Sequence, residues 1–189
     1  MKPKHKMIAA ILTVALLATA GLAQSDDDDG TPWFQSWFDK AKPGIDPVGS
    51  QRYVEECGSC HFPYQPGLLP APSWEKIMGS LDDHFGENAE LDEGDRKTIQ
   101  NYLLNNAAGR VNYGLSNKLM AAQRERPLPL RITEMRYFAY EHSEIPKELV
   151  QENPKVRSFS NCDSCHQRAK RGLYDEHDVR IPGFGRWDD

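Results

Sequence analysis

Two stretches decide the reading: Cys57-Gly58-Ser59-Cys60-His61 and Cys162-Asp163-Ser164-Cys165-His166. Each is Cys-x-x-Cys-His, the pattern of c-type haem attachment. The spacing serves the chemistry. Two thiols add to the two vinyl groups of one porphyrin, and the adjacent histidine reaches the iron as its proximal ligand. Together the two copies use all four cysteines of the chain. Other uses of paired cysteines fit less well. An all-thiolate zinc ribbon spaces its pairs by about 15–20 residues, whereas Cys60 and Cys162 lie about a hundred apart. A thioredoxin-like redox pair needs a βαβ context, and the chain has no strand-rich pattern. Structural disulfides would suit an exported protein, but they give no reason for a histidine after each pair.

The rest of the composition agrees with a chain that borrows its apolar bulk. In 189 residues, 39% are hydrophobic, and the mean hydropathy is −0.68. Side chains alone make a thin core. Two covalent haems would supply the missing bulk, as metals and disulfides do in other small folds. The chain without them is expected to fold poorly. Its formal charge of −5 excludes the basic footprint of a nucleic-acid-binding protein.

The N-terminus reads as an export signal. Lys2, Lys4 and Lys6 form a positive region, residues 7–22 an apolar run, and Gly21-Leu22-Ala23 a small-x-small cleavage site. An uncleaved membrane anchor is the alternative, since the run is at the short edge of what spans a bilayer. Cleavage after residue 23 removes three lysines and no acid, leaving about −8. The run Asp26-Asp27-Asp28-Asp29 reads as a solvated leader over residues 24–30.

Helical periodicity then dominates. Thr31-Pro32 opens a helix whose Trp33, Phe34, Trp37 and Phe38 share a face. Ser50 caps the helix of the first motif, with Tyr53, Val54 and Cys57 on one side. Residues 64–71 read as an extended, proline-rich loop whose Leu68 and Leu69 would touch porphyrin. Ser73 caps the next helix, with Trp74, Ile77, Met78, Leu81 and Phe85 on its apolar stripe and Gly86 as its end. His84 projects from that same stripe. Asp92 with Asp95 opens a helix bearing Ile99, Tyr102 and Leu103, closed by Gly109. A looser junction at 111–130 contains a short helix near 117–123. A helix over 133–142 places Met135, Phe138, Ala139 and His142 at i, i+3, i+4 and i+7. Ser158 or Ser160 caps the second-motif helix, which runs to Gly172, and Arg180 to Gly185 shows no clear period. The domains are therefore a signal at 1–23, a leader at 24–30, a first haem half at 31–110, the junction, and a second haem half at 131–189.

Each iron has a second axial position, and what fills it sets the function. A protein ligand on both sides makes an electron carrier. An exchangeable site allows oxygen or peroxide chemistry. The candidates are His84, His142 and His177, with Met78, Met120 and Met135. His84 and His142 lie on buried stripes among aromatics, and His177 sits in the charged run Asp175-Glu176-His177-Asp178. The reading assigns His84 opposite His61 and His142 opposite His166, with His177 as the rival for the second position. Met78 lies on the same apolar face as His84 but is equally at home as core filler. Arg168, Lys170 and Arg171 form a local basic patch that either docks an acidic surface, steers a haem propionate, or is a solvated face.

The ordered set of residues resembles the bacterial dihaem cytochrome c family. It comprises the first motif followed by Tyr64-Gln65-Pro66-Gly67-Leu68-Leu69-Pro70, Ser73-Trp74, His84-Phe85-Gly86, Tyr102-Leu103, Arg131-Ile132-Thr133, His142-Ser143-Glu144-Ile145, and the second motif with Ala169, Gly172 and Arg180-Ile181-Pro182. His177 departs from it. The resemblance implies a mostly α fold, with a class I-like N-terminal haem half, a smaller C-terminal one and long Pro-rich loops. It also implies a periplasmic electron-transfer protein, not an enzyme, with two low-spin bis-histidine haems. Its implied partners are a small high-spin cytochrome c and a membrane b-type cytochrome. It would be a monomer, touching the membrane only through a partner. The alternative is a dihaem peroxidase or oxygen-binding haem enzyme with one open iron.

Overall fold

The computed structural model describes residues 44–123 and 128–187. The export segment, the acidic leader and the helix expected from Thr31 lie outside the described residues. Helix α1, Gln51–Cys57, starts where the Ser50 hydroxyl accepts the Tyr53 amide at 3.3 Å, an N-cap that satisfies one orphan donor. It turns Tyr53 inward, but Val54 stands exposed, so only part of the expected face is buried. Residues 58–61 then leave the helix, with His61 at the end of the motif.

The next segment departs from its sequence reading. The loop at 64–71 contains a 3-10 turn at Pro66–Leu68, and helix α2, Ala71–Met78, is capped at Pro70, three residues earlier than expected. A proline in the first helical turn gives up no intrahelical hydrogen bond, so Pro70 and Pro72 do not delay the start. Ser73 is consequently inside the helix. Its buried hydroxyl donates to Pro129 O at 2.7 Å. Trp74, Ile77 and Met78 are buried as the periodicity requires. The helix stops at Gly79, not at Gly86. A separate 3-10 turn, Leu81–Asp83, carries the chain to His84, and Phe85 is 43% exposed at φ 59.

Helix α3, Glu93–Asn105, is capped by the Asp92 carboxylate, which accepts from the Gly94 and Asp95 amides. It packs on α2, with Ile99 and Leu103 sealed against the core. Each such side chain contributes about 1.5–3 kcal/mol by leaving water. The helix ends before Asn106, short of Gly109. Helix α4, Gly114–Ala122, occupies the junction and starts earlier than the reading placed it. The helix expected over 133–142 is broken in two. A 3-10 turn at Ile132–Glu134 precedes α5, Arg136–Glu141, because Met135 leaves helical geometry to enter the core.

The second motif forms one turn, α6, Cys162–Cys165, capped at Asn161 without a side-chain bond. Ser158 and Ser160 instead bond each other, the Ser160 amide donating to the Ser158 hydroxyl. The helix does not run on to Gly172. A separate 3-10 turn, Ala169–Arg171, ends there with Gly172 at φ 71. The tail pairs as a small antiparallel hairpin of β1, Arg180–Ile181, with β2, Gly185–Arg186. Pairs this short carry no readable alternation. Among the described residues no helix is long and apolar enough to cross a membrane.

Candidate functional site: two facing histidine pairs

Each motif delivers its histidine to a second histidine. His61, set by α1, faces His84 with ring centres 6.2 Å apart and planes 17° from parallel. His142, at the C-terminal end of α5, faces His166 at 6.1 Å and 68°. An imidazole nitrogen sits about 2 Å from a first-row metal and the ring centre about 1 Å beyond, so two imidazoles across one ion have centres about 6 Å apart. Both pairs have that separation.

The hydrogen bonds prepare these rings. His61 Nδ1 lies 2.7 Å from Phe62 O, and His142 Nδ1 lies 2.9 Å from Phe138 O. A carbonyl only accepts, so Nδ1 carries the proton in each ring and Nε2 keeps its lone pair for a metal. His166 Nδ1 is buried with no partner among the described residues, the kind of exception that function accounts for. Burial, then the neighbouring His142, pushes His166 down to about 4. Burial also lowers His84, helped by His61 and Arg131, and lowers His142 against the opposing Phe138 bond. These three rings are held neutral, the form that ligates metal.

Aromatic rings fix the orientations. Phe138 stacks on His142 at 3.9 Å, and Phe159 meets it edge-on at 5.9 Å. Tyr64 stacks on His61 at 5.0 Å, and Tyr174 packs on His166 at 5.2 Å. Phe85 packs on His84 and lies under the Arg131 guanidinium at 4.1 Å. The sequence reading assigned no role to Tyr174 or Gln65. Neither lies in a periodic segment, so their contacts are what give them a role.

The other candidates are placed elsewhere. His177 is 74% exposed in the turn Glu176–Asp178, with Nε2 4.0 Å from Glu176 Oε1. Met78 and Met135 belong to the core cluster. Arg168 is ion-paired with Asp178, so it is not a free member of the expected basic patch. None of the four cysteines is paired in a disulfide. Burial, then Glu56 and Cys60, raises Cys57 to about 11, and burial raises Cys162 to about 12. Among the described residues no cluster of three or more His, Cys, Asp or Glu side chains is gathered for a metal.

The second motif opens on a cleft lined by Cys162, Cys165, His142 and His166, with Val150 and Ile181 in its wall. An apolar-walled cleft with two thiols on its edge and two neutral imidazoles converging within it suits a covalently tethered haem. The residues present fit that group.

Comparisons with known proteins show what the chain is similar to. A family profile described as dihaem cytochrome c matches residues 53–174. An X-ray structure of a dihaem c-type cytochrome from Shewanella baltica OS155 is 43% identical, with a TM-score of 0.60, over 73% of this chain and 97% of that one. A dihaem cytochrome c from Rhodobacter sphaeroides is 39% identical, with a TM-score of 0.61, over 69% of this chain and 100% of that one. No curated protein matches the chain.

Proposed function

The chain belongs to the dihaem cytochrome c family, carries two c-type haems and acts in haem-based electron transfer, and on that premise we propose that it is a periplasmic carrier with both irons closed by histidine. Cys57 and Cys60 would tether one haem, and Cys162 and Cys165 the other. His61 with His84, and His142 with His166, would provide the axial ligands. The haems supply reversible one-electron chemistry. The protein's residues then have four tasks: to tether, to ligate, to exclude water and to hold the rings still. No proton needs to be moved, so no general acid or base is required.

The observation that carries this reading is the separation of the two imidazole pairs, 6.2 and 6.1 Å. That separation supports a histidine at each distal position, where a peroxidase or oxygen-binding enzyme needs an exchangeable one. Export through the segment at 1–23 supports a periplasmic location, since bacterial c-type haem is attached outside the cytoplasm. The acidic chain suits exchange with a small high-spin cytochrome c and a membrane b-type cytochrome, the chain itself remaining monomeric. Absorption and EPR spectra of the purified protein test the closed sites. The expected result is low-spin haem in both oxidation states and no carbon monoxide binding on reduction. A high-spin fraction or a carbonyl adduct would return the open-site alternative.

A further inference from the structure

The two histidine pairs are joined by a path that runs through the contacts of Tyr64, the backbone between Tyr64 and Gln65, and the contacts of Gln65 and Tyr174. The Tyr64 ring lies 5.0 Å from His61 and 23° from parallel to it. Its hydroxyl donates to Ser160 O at 2.9 Å, two residues before Cys162. Its own carbonyl accepts from the Tyr53 hydroxyl at 2.9 Å, which pins the backbone. Gln65, next in the chain, is 0% exposed. Its Nε2 donates to Ala169 O at 2.6 Å, and its Oε1 accepts from the Tyr174 hydroxyl at 2.6 Å. The Tyr174 ring ends the path 5.2 Å from His166.

A wholly buried amide is costly unless both ends are bonded, and a satisfied one allows few alternative geometries. A leucine would pack the same space without that constraint. We infer that Tyr64, Gln65 and Tyr174 form a single positioning link, through which the setting of one imidazole is transmitted to the other centre. This rests on the two-haem reading above. The link acts on orientation, because Tyr64 and Tyr174 bear on the faces and edges of the proximal rings. Neither needs to exchange protons or electrons.

The test uses holoprotein with Tyr64→Phe, Gln65→Leu, Tyr174→Phe and the double Tyr64→Phe/Tyr174→Phe change. The midpoint of each haem is measured by spectroelectrochemistry, with ferric EPR following each centre. Haem content and urea midpoint are measured alongside. Gln65→Leu is expected to shift both reduction steps and change their separation. Each tyrosine variant is expected to move the haem at the far end of the link as well as the near one. The shifts are expected not to add in the double variant, as for residues that act as one unit. Shifts confined to the nearer haem, or additive shifts, would overturn the link. So would a lowered urea midpoint with unchanged potentials and EPR signals, which is packing alone. If Gln65→Leu fails to fold, the two Tyr→Phe variants, which keep their rings, decide the question. A high-spin spectrum in the unaltered protein would overturn the ligation reading instead, and is distinguishable because it precedes any substitution.

Discussion

The imidazole planes of His142 and His166 cross at 68°, whereas those of His61 and His84 lie within 17° of parallel. The two pairs have nearly the same separation and different twists. Phe138 and Phe159 hold His142 from two sides, at 11° and 88° to its plane. The twist is therefore set by packing around the ring.

This difference predicts two distinct low-spin ferric EPR signals. Near-parallel axial imidazoles give an ordinary rhombic spectrum, and near-perpendicular ones a strongly anisotropic signal with one very large g value. Low-temperature EPR of the oxidised protein should resolve both in equal amounts. Two identical signals would mean that the rings relax to a common twist once iron is bound.

Exchanging the distal candidates separates His142 from His177. His142→Met should replace one low-spin spectrum by that of a His–Met haem, with a higher reduction potential. His177→Met, on an exposed turn, should leave both haem spectra unchanged. Visible absorption and redox titration of the two variants check this, and a changed spectrum in the second alone would reverse the assignment.

Gly172 sits at φ 71, and a Cβ there would fall 2.0 Å from Ile45 O. The Ile45 amide donates to Gly172 O at 3.2 Å, so this backbone contact fastens the start of the described chain beside the second motif. Gly172→Ala combines left-handed strain of about 1–3 kcal/mol with a clash against backbone. A loss of at least about 2 kcal/mol in urea unfolding is expected.

Tyr53 gives the protein an alkaline limit. Burial, then Cys57, Tyr102 and Tyr64, raises its hydroxyl well above the usual tyrosine range, and the bond to Tyr64 O opposes this only weakly. In the unfolded chain it ionises near 10. The stabilisation is therefore fully present below pH 10 and is lost as pH rises through the folded value, where the unfolded state has already released its proton. Unfolding midpoints should fall between pH 9 and 11, and fall less in Tyr53→Phe. That variant loses about 1 kcal/mol at neutral pH with its hydrogen bond.

The parts legible in the sequence are those that local chemistry decides. Cys-x-x-Cys-His is a covalent spacing, so its reading needs no fold. The caps at Ser50 and Asp92 act over three residues or fewer and were found where expected. The burial of Trp74, Ile77, Ile99 and Leu103 followed from period alone. His84 was expected to face inward, but as part of a long helical stripe. It arrives there through a break at Gly79 and a separate turn, because Leu81 and Ala89 close a hydrogen-bonded loop around it.

What only the tertiary structure decided is which distant groups meet. The sequence alone left His142 and His177 as rivals, because His177 is an extra histidine that departs from the family pattern. Packing separates them. Phe138, Phe159 and Tyr174 form an aromatic surround at His142 and His166, while the Arg168–Asp178 ion pair and the His166–Val179 bridge hold the neighbouring turn so that His177 points to solvent. Gln65 likewise meets Ala169 and Tyr174 across more than a hundred residues. Attachment is a property of five consecutive residues. The proposed closure of each site and the proposed link between the two depend on the loops that bring distant segments together.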